Sequence, residues 1–189
     1  MNRKCLQKFQ IKDVVFLAIM SAVALATCAV MPLVISLQPL IFGISQLVTA
    51  LQIGVFFAIG LYKVRKPGSL LIMALMMGLI QLMMSPPMFL SSVLNGILIE
   101  LIVLLLFRGY EKDGAVFCAA MLHTPLSLPF NYLYNRLVKG ADSPLAAVAD
   151  RAPLAAVGMT LAVVAVSALG ALIGIKIARE LKKSGVLKK

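Results

Sequence analysis

Glu100 is the single acidic side chain in the long apolar stretches of this 189-residue chain. Residues 14–62 contain no Asp, Glu, Lys or Arg, and Glu100 is the only acid in residues 67–107, 114–135 and 152–175 taken together. A buried carboxylate costs several kcal/mol unless it is protonated or paired. Two interpretations stay open: a functional acid, or a structural carboxylate bonded to a neighbouring helix or to a Lys/Arg cluster.

The segment from His123 to Asn135 combines polar side chains with two prolines, Pro125 and Pro129. Proline interrupts helical hydrogen bonding, and such breaks are tolerated at membrane depth only where protein or a cavity satisfies the freed groups. The segment is therefore the best candidate for the wall of a binding site. It supplies four of the predicted substrate-binding residues: His123, Asn131, Tyr132 and Asn135.

Two of these assignments have alternatives. His123 could make a structural hydrogen bond instead of a ligand contact. Tyr132 and its neighbour Tyr134 also fit the aromatic belt that forms where a helix leaves the membrane.

Neutral polar side chains in the other apolar stretches complete the predicted pocket: Gln46, Gln81, Ser92 and Asn95. Ser92, Gly96 and Glu100 recur every fourth residue, which places them on one helical stripe. Methionines are frequent between residues 73 and 88, and flexible thioethers suit an adaptable pocket. Such a pocket would suit a small, partly aromatic, mostly neutral or cationic molecule.

The motifs of common enzymes are absent from the sequence. There is no phosphate-binding Gly-x-x-x-x-Gly-Lys-Ser/Thr loop, and the lone His123 cannot assemble a multi-histidine zinc site. Ser45 with His123 is a poor match to an intramembrane serine protease, since the serine lacks the following glycine. We therefore expect no catalysis, no metal and no cofactor, and any ATP drive must come from a partner.

The composition of the chain predicts the kind of structural element that positions these polar residues. The chain is 61% hydrophobic and 13% charged, whereas soluble domains have about 25% charged residues. A span needs about 20 apolar residues, so the sequence predicts an all-α integral membrane protein, one transmembrane domain over residues 1–189. The compact bundle has six transmembrane helices: 14–35, 46–62, 69–85, 88–107, 115–137 and 153–175.

Two segments near the N-terminus need separate interpretation. The basic start and the apolar run after it resemble a secretory signal, but the run continues well past any cleavage site, so we expect a retained first helix. Residues 36–45, with Pro39 and Gly43, form either a loop dipping into the outer face or the start of a longer second helix.

The distribution of Lys and Arg predicts the orientation, because basic residues flanking spans stay in the cytoplasm. With the N-terminus inside, 15 of the 18 basic residues are cytoplasmic, including a basic tail at residues 176–189. Three lie outside: Arg136, Lys139 and Arg151. We therefore expect both ends inside. The net charge of +11 then reflects this asymmetry and not a nucleic-acid partner.

Ala18, Ala22 and Ala26 recur every fourth residue and form an alanine strip on one face of the first helix. Small residues let helices approach closely in membranes. The strip could pack inside this protein's own bundle or dock helices of a partner. Gly170 and Gly174 form a similar pair in the last span, with the same two interpretations.

Together these features resemble the substrate-binding S component of an energy-coupling factor (ECF) transporter. The resemblance covers essentially the whole chain: its length, six spans, both ends inside, and the alanine strip. The turn at residues 64–68, with Gly96 and Glu100, is similar to the branch that includes thiamine or thiamine-precursor components.

The resemblance implies a multi-pass protein of the bacterial cell membrane that captures a vitamin-like micronutrient. Substrate would be held at the outer side, among the last three helices and under the first outer loop. The alanine strip would dock on a transmembrane coupling subunit (EcfT-like), two cytoplasmic ATPases would supply energy, and the component would topple to release its cargo. The chain lacks tryptophan and any thiamine-type or riboflavin-type pocket signature, so a thiamine precursor, another vitamin, haem and a corrinoid all stay open.

Two other classes of protein compete with this interpretation. A stand-alone proton-coupled transporter would use Glu100 and His123 as a proton relay. A membrane scaffold would bind no small molecule. Dependence of uptake on partner ATPases distinguishes the first interpretation from the second.

Overall fold

The computed structural model describes residues 8–28, 33–34, 36–37, 40–140 and 143–186. Within these ranges the regular structure is all α-helical, which confirms the predicted fold class. The described helices are α1 (Ile11–Thr27), α2 (Ile44–Val64), α3 (Ser69–Leu82), α4 (Pro86–Phe107), α5 (Asp113–Val138), α6 (Pro144–Arg151) and α7 (Pro153–Lys183).

Each of the six predicted spans overlaps one of the described helices, and the short α6 lies between the fifth and sixth predicted spans. The first span was predicted to reach residue 35, but α1 ends at Thr27; residues 29–32 and 35 lie outside the described ranges. α2 begins at Ile44 after Gly43, which has a positive φ of 75°. Residues 40–43 therefore form turns and do not extend α2.

Three of the described helices, α2, α4 and α7, are long and apolar enough to cross a membrane. With 17 and 14 residues, α1 and α3 are about 26 and 21 Å long, shorter than a hydrocarbon core of about 30 Å. α5 has 26 residues, but polar and charged side chains dilute its apolar content. Six crossings with both ends inside therefore stay predictions.

The surface of the bundle carries many large apolar side chains. Leu105 is 81% exposed on α4, and Leu161 and Leu172 on α7 are 64% and 55% exposed. So many exposed large apolar side chains are unfavourable in water and indicate contact with lipid or with other protein.

α2 occupies the centre of the bundle. It packs most extensively on α7 and also contacts α5, α1 and α3. The core between these helices contains Phe57 and Leu61 of α2, Met73 of α3 and Val116 of α5, all fully buried. Among the described residues α1 packs mainly on α2 and α3, and the side of α1 with exposed residues faces away from the bundle.

The contact of α7 with α2 depends on glycine. A Cβ atom added to Gly170 would lie 2.6 Å from the carbonyl oxygen of Leu51, and one added to Gly174 would lie 2.5 Å from that of Val55. Across the interface, a Cβ on Gly54 would lie 3.1 Å from the Ser167 carbonyl oxygen. Of the two interpretations of the glycine pair, packing inside the chain's own bundle is therefore the one that the structure supports.

Ion pairs join the helix ends at one end of the bundle, which we call the basic end. Asp113, at the start of α5, pairs with Arg65 after α2 at 2.5 Å and with Arg179 of α7 at 2.6 Å. Lys66 pairs with Asp13 of α1 at 2.7 Å. The basic end therefore fixes α1, α2, α5 and α7 relative to one another.

Candidate functional site

A cavity of about 410 Å³ opens at the end of the bundle opposite the basic end. It is lined by the end of α1, the first halves of α2 and α4, the last parts of α3 and α5, and the start of α6. The resemblance implied a site among the last three predicted helices, which correspond to α4, α5 and α7. α4 and α5 line the cavity, but no described residue of α7 does. The charge distribution predicts that this end faces outward.

Seven of the eight predicted substrate-binding residues line this cavity. They are Gln46, Gln81, Ser92, Asn95, His123, Asn131 and Asn135. Four helices, α2 to α5, bring them together. Their role in binding stays a prediction.

Tyr132 is the exception, because it faces α6. Its hydroxyl donates to Asp150 Oδ1 at 2.7 Å and accepts a hydrogen bond from Arg136. Arg136 also pairs with Asp150 at 2.8 Å. Consecutive helical residues point about 100° apart, so Tyr132 diverges from its neighbour Asn131 and links α5 to α6 at the surface.

Three side chains at the inner part of the cavity form what we call the cavity floor: Asn95, His123 and Thr124. They are 1%, 4% and 3% exposed. Neither polar side-chain atom of Asn95, neither ring nitrogen of His123, and not Thr124 Oγ1, has a hydrogen-bond partner in the described part of the chain. Since buried polar groups ordinarily have a partner, the floor can bond to a ligand.

The His123 ring is positioned by an aromatic neighbour. Its centroid lies 4.5 Å from that of Phe57, with the planes inclined by 57°. This tilted contact holds the imidazole without using its nitrogens. The structural hydrogen bond considered for His123 has no counterpart among the described residues.

Several polar residues of the cavity were missed by the sequence analysis. They are Ser45, Thr49, Ser85, Ser91, Thr124, Ser127 and Lys139. Helical spacing could have found some of them, because Ser127 precedes Asn131 by four residues and Thr49 follows Gln46 by three. Lys139 lies near the mouth. It follows His123 by 16 residues, which places its backbone about 24 Å along the helix axis from that of His123.

Glu100 is buried but does not line the cavity. Its Oε1 accepts the Gly68 N–H at 2.6 Å, and its Oε2 accepts the Tyr110 hydroxyl at 2.9 Å. Burial, and then the adjacent carboxylate, raise the pKa of Tyr110, so the hydroxyl stays a donor. The contacts favour the structural interpretation: Glu100 joins the α2–α3 turn to the α4–α5 loop.

α5 runs unbroken through both of its prolines. The predicted break in the helix is therefore not observed. Pro125 and Pro129 remove only their own N–H groups, which leaves the carbonyls of Met121 and Pro125 without a helical donor. Tertiary packing on α2, α4 and α7 holds the rest of the helix in place.

The alanine strip faces away from the bundle. Ala22 and Ala26 are exposed and Ala18 is half-buried. The opposite face of α1 is buried, and there Ser21 Oγ donates to the Met73 carbonyl oxygen at 3.1 Å. The strip is therefore not packed inside this protein's own described bundle.

An all-α bundle with an apolar surface and a polar cavity at one end defines the chain as a helical membrane protein. Residues 11–183 match the model of the family described as hypothetical bacterial integral membrane protein (Trep_Strep), and the chain belongs to that family. No curated protein matches the sequence. One solved structure, described as the crystal structure of an S-component of ECF transporter, is similar in fold: the TM-score is 0.64 at 22% identity, over 95% of this chain and 89% of the other.

Proposed function

We propose that this protein is the S component of an ECF transporter of the bacterial cell membrane. It would capture a small vitamin-like molecule at the outer face and deliver it inward when docked on a transmembrane coupling subunit with two cytoplasmic ATPases. The observation that carries the proposal is the cavity floor, because its polar atoms are buried and unpartnered. The fold similarity to an S component supports the same class.

The energetics of the floor favour a bound ligand. Each buried donor or acceptor left without a partner costs about 1–3 kcal/mol. Asn95 and His123 each have two such atoms and Thr124 has one. A ligand that pairs with several of them recovers much of this cost, which is how a small molecule can be held tightly by neutral groups.

Loss of the Asn95 amide is expected to remove the captured molecule. The Asn95→Leu variant keeps a side chain of similar size but cannot hydrogen-bond, so the amount of small molecule that co-purifies should fall about tenfold or more. The measurement is mass spectrometry of compounds released from the purified full-length protein.

Gln52→Leu provides the matched control, since Gln52 is an α2 amide outside the cavity lining. This variant should retain the molecule. Equal occupancy in wild-type, Asn95→Leu and Gln52→Leu proteins would contradict capture at the floor.

The stand-alone proton-coupled transporter is the second candidate. Its proposed relay would need Glu100 and His123 to exchange protons, but both Glu100 oxygens are engaged by Gly68 and Tyr110, and Glu100 is outside the cavity lining. These contacts therefore do not support a proton relay between Glu100 and His123.

Glu100→Gln is expected to lower stability and leave affinity for the captured molecule unchanged. The new amide has one oxygen in place of two, so one of the Gly68 and Tyr110 donors loses its acceptor, at a cost of about 1–3 kcal/mol. Thermal unfolding and ligand titration measure the two effects. Tyr110→Phe, which keeps the carboxylate, is the control and should bind normally. Wild-type stability together with loss of proton-driven uptake in Glu100→Gln would favour the relay instead.

A further inference from the structure

We propose that the cavity floor selects an uncharged ligand that carries an amide or lactam edge, in which an N–H donor lies beside a carbonyl acceptor. The inference rests on the proposed capture function and names the class of molecule captured. It depends on the pairing capacity of Asn95 and on the position of the acidic side chains.

Asn95 offers an unused donor and an unused acceptor side by side. Its Nδ2 and Oδ1 are both buried and unpartnered in the described structure. The neighbouring Ser92 does not compete for them, because its hydroxyl donates to the Ala74 carbonyl oxygen at 2.9 Å. An asparagine amide pairs in two-pronged fashion with an edge that presents the complementary acceptor and donor, as in the reading of adenine. An amide or lactam is the simplest such edge.

His123 and Thr124 extend this pattern on the facing helix α5. An imidazole and a hydroxyl both donate and accept without requiring a charged partner. Together with Asn95 they present five unpartnered polar atoms and no side chain of fixed charge. A ligand group that sits among them is therefore recognised by hydrogen bonds and not by an ion pair.

A cation at the floor is disfavoured because no described acidic side chain lines the cavity. The chain has seven acidic residues, and the six described ones are all outside the cavity lining. They are Asp13, Glu100, Glu111, Asp113, Asp150 and Glu180. Asp142 lies outside the described ranges. A cation at the floor would lose its hydration without gaining a counter-ion, which is strongly unfavourable. Of the expected neutral or cationic molecules, the floor therefore favours those that place a neutral group there.

Three probes that share a phenyl ring test this selection: benzamide, N,N-dimethylbenzamide and the benzamidinium ion. Each is titrated into ligand-free, detergent-solubilised full-length protein, and binding is measured from the rise in thermal stability. Benzamide should bind about tenfold more tightly than either of the others, because dimethylation removes the donor and the amidinium lacks both an acceptor and a counter-ion.

Asn95→Asp supplies the reciprocal test. It keeps the shape of the side chain and adds the missing counter-charge, so benzamidinium should become the tightest-binding probe. Equal binding of benzamide and N,N-dimethylbenzamide by the wild type, tighter binding of benzamidinium, or no binding of benzamide would overturn the amide-edge class. An unchanged probe order in Asn95→Asp would overturn the role of Asn95. Capture itself is judged separately, by the molecule that co-purifies with wild-type protein and is lost from Asn95→Leu.

Discussion

Replacing Ala22 by phenylalanine is expected to abolish uptake of the captured molecule while ligand binding and thermal stability stay at wild-type levels. Ala22 is exposed on the side of α1 that faces away from the bundle, so a larger side chain there does not enter the described core of this chain. Helices in membranes approach closely through small residues, and a phenyl ring in the alanine strip would hold a partner helix away. Uptake by proteoliposomes that contain all proposed subunits measures the loss.

Ala165→Phe is the matched control for this prediction. Ala165 is also an exposed alanine within a helix, but it lies on α7, away from the alanine strip. The control should transport normally. Normal uptake in Ala22→Phe would remove the strip as a docking surface, and equal loss in both variants would indicate a general effect of bulk in the membrane.

A second large effect is expected for Gly174→Leu, which should prevent stable folding. The new Cβ would lie 2.5 Å from the Val55 carbonyl oxygen and 2.7 Å from the Ala58 Cβ. Because the obstacles include backbone on the central helix, α7 would have to move away from α2 and lose its most extensive contact. Overpacking commonly costs 1–3 kcal/mol, and a clash with backbone puts this case at about 3 kcal/mol or more. The yield of monodisperse protein and its unfolding temperature measure the effect.

The same helix provides a control in Gly158→Leu. A Cβ at Gly158 meets nothing within 4 Å, so this substitution should leave folding intact. Comparison of the two variants separates the steric effect from any general effect of leucine in α7. Wild-type stability in Gly174→Leu would mean that α2 and α7 do not pack as closely as described here.

The sequence predicted the fold class and seven of the residues that line the cavity, because both depend on periodicity. Apolar stretches bounded by charges and turn residues each overlap a described helix, and side chains three or four residues apart fall on one face. Asn131 and Asn135 were therefore found together on α5, as were Ser92 and Asn95 on α4.

Tertiary contacts decided between the interpretations that the sequence left open for Glu100 and Tyr132. Glu100 shares a helical stripe with Ser92, but it lies two turns nearer the basic end, where Gly68 and Tyr110 bond to it. The partner of Tyr132 is Asp150 on α6, a short helix that composition alone did not predict. Local sequence carries no information about which distant donor or acceptor will face a given side chain, so these assignments required the structure.

The shared carboxylate of Asp113 has a mechanical consequence. Two guanidinium groups pair with it, one from Arg65 after α2 and one from Arg179 of α7. At the other end of α5, Arg136 and Tyr132 both bond to Asp150 of α6 at the surface, and such exposed contacts contribute little. In the described structure one carboxylate thus joins three helices at the basic end, whereas the bonds to Asp150 join only α5 and α6 near the cavity mouth. We therefore expect the helix ends around the mouth to separate more easily than those at the basic end.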